Sequence, residues 1–555
     1  MNGVKYKNFE QASFEDIMVY SVIPPHPFWD AVANYIDFSF ADKLCAPLYS
    51  PIGQHPYAPS LKLKIHLVQR YYNISDREME LKIVGDIFIK RFLGVPISLA
   101  KFDHSTIALD RSRLGADIFH ACHVNILAQA LNLGMWGQDD DRWLVDAFHT
   151  HANVATPSVY ELIQQAAQKL VRYLKRHNPA RYEKLKENMD VGAFFRKLKR
   201  EVQGSERNLA FSNLCVLAFS LVAWLERADT DDMDTQWKND NEQETAKQQR
   251  EVLLRILREN VTPKLPDENQ SPSSENVEPQ KEDIQYVEQD KNNKPSDRVV
   301  SAHDPEVRVG HKSKKLAFIG DKTQVVESAN SHLVLNAEPI PGNEVDGIAL
   351  ESVVKAVVDE FDKRPKEVVA DSAYGNAENR DKLSKELHIL LTAPLPKFTN
   401  PSGKAFRAED FTYIPERDVV VCPGGYTSVR KNHIKQSKGT QHGFAEEDCT
   451  ACPLRAQCTD HAKGRTVFVS DYWELIQEAK KYNASQEGQE ALRARYEIER
   501  TNNEMKRHHG LGKPRTRGRS KLRIDVKITS MVVNVKVMVK ELLNRGKPLE
   551  APVCL

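Results

Sequence analysis

The chain has 555 residues, enough for several hydrophobic cores, and 41% of them are hydrophobic, which excludes a wholly disordered or fibrous polypeptide. The formal net charge of +1 announces no polyanion partner, but it averages an Asp-, Glu-, Asn- and Gln-rich stretch (Asp229 to Glu288) with a strongly basic one (Lys506 to Arg523). MNGVKYKNFE lacks the apolar core of a secretion signal, and the longest apolar run, Leu214 to Leu225, is too short to span a bilayer, so a cytoplasmic protein without membrane association is expected.

Residues 1–135 read as mostly helical. SLKLKIHLVQRYY (Ser60 to Tyr72) has amphipathic spacing, ISDREMELKIVGDIFIKRFLG follows with Ser75 or Asp76 as N-cap and Gly94 as stop, and DHSTIALDRSRLG (Asp103 to Gly115) reads as another capped helix start. RWLVDAFHT (Arg142 to Thr150) is a short buried strand carrying Asp146. Helical patterns occupy about 158 to 227. Asp229 to Ser301 is polar enough to read as a linker, interrupted by a helix around Lys247 to Glu259. Leu316 to Glu327 and His332 to Ala337 form a predicted hairpin, and a helix over Gly347 to Asp362 leads to the strand KEVVAD, ending at Asp371. Asn376 to Glu386 is helical and His388 to Thr392 extended; a cysteine segment, a long helix from Gln486 to His508 and a last helix at Ile528 to Leu543 complete the chain. Strand, hairpin, helix, strand, helix, strand is an α/β layered order.

Asp146 lies inside one apolar strand and Asp371 ends another. A carboxylate there is costly unless it is paired or bound to a cation, and carboxylates are the usual hard ligands of Mg²⁺. Singly, each reads equally as a turn cap or an arginine partner. In RARYEIERTNNEMKRHH, helical spacing places Arg495, Glu499, Asn502 and Lys506 within a stripe of about 60°. An acid flanked by cations and an amide suits a site for metal and phosphate; a solvated charged face has the same pattern. Glu504 lies roughly 140° around from Glu499, so its replacement is expected to be silent. His149 and His151 neighbour Asp146 and read as structural or solvent-facing.

Cys422, Cys449, Cys452 and Cys458 form C-x26-C-x2-C-x5-C, spacing that suits a tetrahedral structural Zn²⁺ better than unlinked thiols, with His433 and His442 as alternative ligands. Cys45, Cys122, Cys215 and Cys554 read as buried or incidental thiols. KRHHGLGKPRTRGRSKLR follows the long helix; its Lys513, Arg515 and Arg517 suit a DNA-backbone contact or, alternatively, a solvated loop.

LVDAFHTHAN, VVADSAYGN and RARYEIERTNNEMKRHHGL together resemble the catalytic motifs of bacterial insertion-sequence DDE transposases. The R-x3-E-x6-K signature of that superfamily is present as Arg495, Glu499 and Lys506. Its usual Tyr three residues before the Arg is Leu492 here, and a Tyr common before the second strand is Asp321. SLKLKIHLVQRYYNISDREME and FDHSTIALDRSRLG are similar to the helical N-terminal domain of one group of these enzymes, and CPGG and CTACPLRAQC to that group's four-cysteine insert.

The resemblance implies a ribonuclease-H-like core carrying inserts. A helical N-terminal domain for DNA-end recognition would occupy 1–135, the first part of the core 136–157, a helical insertion and polar linker 158–300, the second part of the core 301–398, the zinc insert 399–484, and the catalytic helix with the C-terminal part of the core 485–555. It also implies phosphoryl transfer with two Mg²⁺ or Mn²⁺ ions at Asp146, Asp371 and Glu499, Asp146 bridging them. Water would free a 3′-hydroxyl at the element end, and that hydroxyl would attack target DNA. Lys506 and Arg495 would position phosphate, with Asn502, Lys513, Arg515 and Arg517 among the DNA-facing residues. The implied partners are double-stranded DNA (terminal repeats and target) and a second copy of the chain when DNA is bound, in the nucleoid. A DNA-binding relative that has lost catalysis, or a metal nuclease without strand transfer, would share the fold; the intact acids argue against the first, and the N-terminal domain and cysteine insert against the second.

Overall fold

The computed structural model describes the chain apart from residues 1–3, 8, 10–12, 138–140, 199–200, 231–235, 265–284, 314–315, 396–402 and 547–555. Its first helices are Phe14–Val22 (α1), Trp29–Tyr35 (α2), Phe40–Cys45 (α3), Pro59–Tyr72 (α4), Asp76–Gly85 (α5), Ile87–Leu93 (α6) and Ser105–Asn132 (α7). Ser75 caps α5 in a reciprocal box with Glu78. The single helix expected up to Gly94 is two, because Asp86 ends α5 and caps α6, accepting from the amides of Phe88 and Ile89. Gly94 stops α6 in the left-handed region at φ 68°.

After the strand β1 (Arg142–His151) comes a helical unit with its own core: Val159–His177 (α8), Pro179–Asn188 (α9), Gly204–Thr230 (α10) and Asp240–Asn260 (α11), closed by the hairpin Val261–Lys264 (β2) and Gln285–Glu288 (β3). This corrects the linker expected from Asp229 to Ser301. Asn239 caps α11, whose Leu253, Ile256 and Leu257 are buried in that core despite the polar residues around them. The most polar part of the stretch, 265–284, lies outside the described residues. The apolar run at Leu214 is also longer than its sequence suggested: α10 has 27 residues and a segment of mean hydropathy 1.7, long and apolar enough to cross a membrane, with 50% of that segment buried in the protein.

Five further strands join β1: Arg308–Ser313 (β4), Leu316–Ser328 (β5), Val334–Pro341 (β6), Glu367–Ala370 (β7) and Leu390–Thr392 (β8). Between them lie Leu350–Phe361 (α12) and Ala377–Lys382 (α13). β4 and β6 both pair with β5, β5 with β1, β1 with β7 and β7 with β8; β5 runs against all the others. Alternation along β1 sends Trp143 and Val145 to one face, against α12 and the N-terminal helices, and Leu144 and Phe148 to the other, against the C-terminal helices.

The cysteine segment forms a hairpin of Thr412–Ile414 (β9) and Val419–Val421 (β10), and a sheet of Arg430–Ile434 (β11), Gly439–Gly443 (β12) and Thr466–Ser470 (β13) with the short helices Glu446–Ala451 (α14) and Arg455–Cys458 (α15). Then come Trp473–Ala484 (α16), Gln486–Ala494 (α17), Ile498–Asn503 (α18) and Arg519–Asn544 (α19). The long helix expected from Gln486 to His508 is a continuous helical path whose winding changes, tightening to a 3₁₀ turn at Arg495–Glu497 and widening to a π turn at Glu504–His508. α19 begins nine residues before its predicted start at Ile528 and is buried in both large cores. Its Asn534 covers the free edge of β6, bonding both the amide and the carbonyl of Val334 at 2.7 and 2.9 Å.

Candidate active site

β1 and β7 run parallel with Val145 opposite Ala370, so the next residues, Asp146 and Asp371, come off adjacent strands side by side. Burial, with the charges of Asp371 and Asp346 adding to it, pushes the Asp146 carboxyl up to about 6, against the opposing pull of the Ala147 amide and Arg495. A mostly buried carboxylate with a second one on the neighbouring strand fits a hard divalent cation, which would relieve both the repulsion and the desolvation of Asp146.

The turn after β7 is held from below. The Asp371 carboxylate accepts the Ala373 amide at 2.8 Å, and the buried Tyr374 hydroxyl donates to Gln324 at 2.6 Å. Gln324 in turn donates to the Asp346 carbonyl at 2.8 Å, while Lys322 pairs with the Asp346 carboxylate at 2.7 Å. The turn packs too closely for larger residues: a Cβ at Gly375 would lie 2.5 Å from the Pro394 carbonyl, and one at Gly347 would lie 2.9 Å from that of Ala373. Sequence reasoning missed Asp346, Lys322, Gln324 and Tyr374 as supports. The available signals were Tyr374 inside the DSAYG motif and the polar pair Lys322 and Gln324, two apart and so on one face of their strand.

The helical stripe divides between surface and interior. Glu499, in the first turn of α18, has a side chain 58% exposed and the Arg495 guanidinium 3.9 Å away. Asn502, grouped above with DNA-facing residues, is buried, and its amide donates to Asp146 at 3.0 Å. Lys506 is half-buried and donates to His149 at 3.2 Å. Burial, then Lys506, His151, Lys312 and Lys322, hold His149 down at about 4. Lys506 is also lowered, by burial and then by Lys312 and Arg507. His149 is thus half-buried in a cluster of cations, Lys506, Lys312 and Lys322. Glu504 is no bystander, since it pairs with both Lys536 and His509.

The basic loop lies along the N-terminal helices. Arg515 donates to the Asn73 carbonyl at 2.8 Å and Arg517 to that of Asn153 at 2.9 Å, and the Gly512 carbonyl accepts the His151 amide at 2.9 Å. Gly510, at φ 77°, passes so close to Asn73 that a Cβ would lie 2.4 Å from its side-chain oxygen. Lys513, Arg515 and Arg517 are exposed. Asp321 is buried against Arg519 at the start of α19, and burial pushes it up to about 6.

In the cysteine segment, Cys422, Cys449, Cys452 and Cys458 line one small cavity with Phe411, Tyr426 and Phe444. Gly424 fits between the sulfurs of Cys452 and Cys422, and Gly464 against that of Cys449. Burial raises the Cys458 thiol, and the three other cysteines reinforce the shift. Four thiols on one cavity suit a soft tetrahedral ion. The alternative histidines are engaged elsewhere: His433 with Asp471 at 3.1 Å, and His442 packed on Tyr413 and close to Ser428. Cys45, Cys122 and Cys215 are buried thiols, and Cys554 lies outside the described residues. Elsewhere, Glu80, Asp103 and His104 bring ligand atoms within 4.8 Å of one another, a cluster bound internally by the His104 amide and ring donating to Glu80. A cavity of about 820 Å³ lies between Phe28, His332, Arg500, Glu504 and Lys536, and the three acids do not line it.

Two family models match the chain. One is described as a transposase domain (DUF772) and covers residues 18–113, the N-terminal helices; the other is a transposase DDE domain and covers residues 421–539, including the four cysteines, Glu499 and the basic loop. A protein of Rhizobium meliloti described as "Uncharacterized protein ORF8 in nfe locus" is 25% identical over 160 residues, 28% of this chain and 77% of that one. No solved structure matches. These two matches, to a transposase domain and a transposase DDE domain in the order of the resembling motifs, support an insertion-sequence DDE transposase.

Proposed function

We propose that this transposase cuts DNA at the ends of its element and joins the freed 3′-hydroxyl to target DNA by metal-dependent phosphoryl transfer. The observation that carries the reading is the pairing of Asp146 with Asp371 by the parallel register of β1 and β7, with the helix bearing Glu499 packed across β1. Asp146, Asp371 and Glu499 would hold Mg²⁺ or Mn²⁺. Bound there, such ions stabilise the attacking and leaving oxygens of an in-line displacement. The sheet order, with a single strand running against the rest, supports a ribonuclease-H-like core.

The chain's own residues do the positioning. Lys506, with Lys312, Lys322 and Arg507 around it, draws the scissile phosphate toward the acids. The Tyr374–Gln324–Asp346 chain of hydrogen bonds keeps the Asp371 turn in place before substrate arrives. Arg515 and Arg517 have donors left after binding the Asn73 and Asn153 carbonyls, and with Lys513 they would follow the backbone of double-stranded DNA whose end is read by the N-terminal helices. The four-cysteine insert would be held by one structural Zn²⁺. DNA ends would bring two copies together.

The test is an Mg²⁺-dependent cleavage and joining assay on the inverted repeats flanking the gene. Joined products support the reading, cleavage without joining indicates a nuclease, and binding without cleavage removes the catalytic claim.

A further inference from the structure

Resting on the reading that Asp146 and Asp371 hold a divalent cation, we propose that Asn502 belongs to the same set and turns its carbonyl oxygen to that cation. α18 packs on the sheet through Ile498 and brings Asn502 onto Asp146, where Nδ2 donates to Oδ2 at 3.0 Å. Chemistry fixes the orientation: a carboxylate accepts hydrogen bonds, so the amide must present its nitrogen to Asp146 and its oxygen elsewhere. That oxygen is buried without a hydrogen-bond partner, in a residue only 6% exposed.

An orphan buried acceptor is uncommon in folded proteins, and each one calls for a reason. An amide oxygen is a hard ligand of the kind that Mg²⁺ and Mn²⁺ accept. Glu499 and Asn502 are three residues apart on one helix, so they occupy neighbouring turns of one face. One face of the helix therefore carries both a carboxylate and an amide oxygen. Lys506, one turn further, is taken up by His149. Asn502 thus has two tasks: its nitrogen aims Asp146, and its oxygen serves the ion.

The test is Mn²⁺ binding to the full-length protein, followed by the loss of the free-ion signal in electron paramagnetic resonance. The binding counted is the part that Asp146→Asn removes. Asn502→Leu is expected to weaken that site about tenfold or more, with a metal-free unfolding temperature no lower than the parent's, because the orphan acceptor is gone. Asn502→Asp, which keeps an oxygen but loses the donor, is expected to bind Mn²⁺ at least as tightly as the parent. Parental affinity in Asn502→Leu would overturn the proposal. So would an equal loss in Asn502→Asp, since that would leave only the hydrogen bond to Asp146. If Asn502→Leu does not fold, Asn502→Asp decides alone, retention supporting and loss overturning. Undiminished Mn²⁺ binding by Asp146→Asn overturns instead the reading on which the proposal stands.

Discussion

Lys506 and His149 stand 3.2 Å apart, the ammonium donating to the imidazole, three residues along β1 from Asp146. The pair lies among the cations Lys312, Lys322 and Arg507, as a phosphate-holding position requires. Lys506→Ala should weaken DNA binding evenly across sequences and reduce its salt dependence by about one counterion. Cleavage should fall further than binding, because a misplaced phosphate reacts poorly even when held. With Lys506 gone, His149 should also titrate above its present value of about 4, which histidine NMR would show. An unchanged salt slope would remove Lys506 from the DNA contact.

Helix geometry makes Glu504→Gln silent for cleavage, while its pairs with Lys536 and His509 give the residue a part in stability. Burial alone would raise the Glu504 carboxyl, but hydrogen bonds from His509 and Lys536 bring it down to about 2. A lowered carboxyl stabilises the fold above its unfolded value near 4.5, and that stability is lost as pH falls toward 2. Glu504→Gln should therefore cost about 1–3 kcal/mol at neutral pH. Chemical denaturation at several pH values should show the gap to the parent closing as the solution is acidified.

Asp146 has the opposite sign. Raised from 3.8 to about 6, its carboxyl costs nothing below the unfolded value and destabilises the metal-free fold increasingly as pH rises through 6. Asp146→Asn should raise metal-free stability at pH 7 by up to about 3 kcal/mol while abolishing both cleavage and the stabilisation by Mg²⁺. Asp371→Asn and Glu499→Gln should also abolish cleavage, each leaving DNA binding largely intact. Substantial cutting by Asp371→Asn in Mg²⁺ would remove that residue from the site.

The cysteine insert should retain about one zinc ion per chain after a chelator wash, measured by elemental analysis. Cys449→Ser should release it and loosen the insert. A metal-free sample that is fully folded and active would contradict this.

Leu257→Ala should destabilise the helical unit by about 2–4 kcal/mol, since Leu257 is fully buried in a core separate from those around the sheet. Proteolysis within α11 should be slow in the parent and fast in the variant; equal rates would mean that the helix is not held by this packing.

Much of the site was legible because its residues lie in short motifs whose local structure is strongly determined. Asp146 within LVDAF and Asp371 after VVA could be placed on strands from apolar runs alone, and Ser75 and Gly94 are helix signals that act through the backbone. What escaped was set by packing. The surroundings of α11 read as linker, with only a helix at Lys247 to Glu259, because the few apolar residues there gain meaning only against α8 and α10. Asn502 and Lys506 look alike on a helical wheel, yet one is enclosed by β1 and the other reaches His149. The changes of winding at Arg495 and Glu504 also defeat any fixed 100° register. Asp346 gave no signal, since its partner Lys322 lies 24 residues away on β5.

The burial of α19 in both cores bears on synthesis. The N-terminal helices are made about 400 residues before the side chains of Ile528, Met531 and Val535 that complete their packing. A chain broken off before Arg519 would expose that apolar surface to chaperones and proteases, so an interrupted product should be cleared quickly.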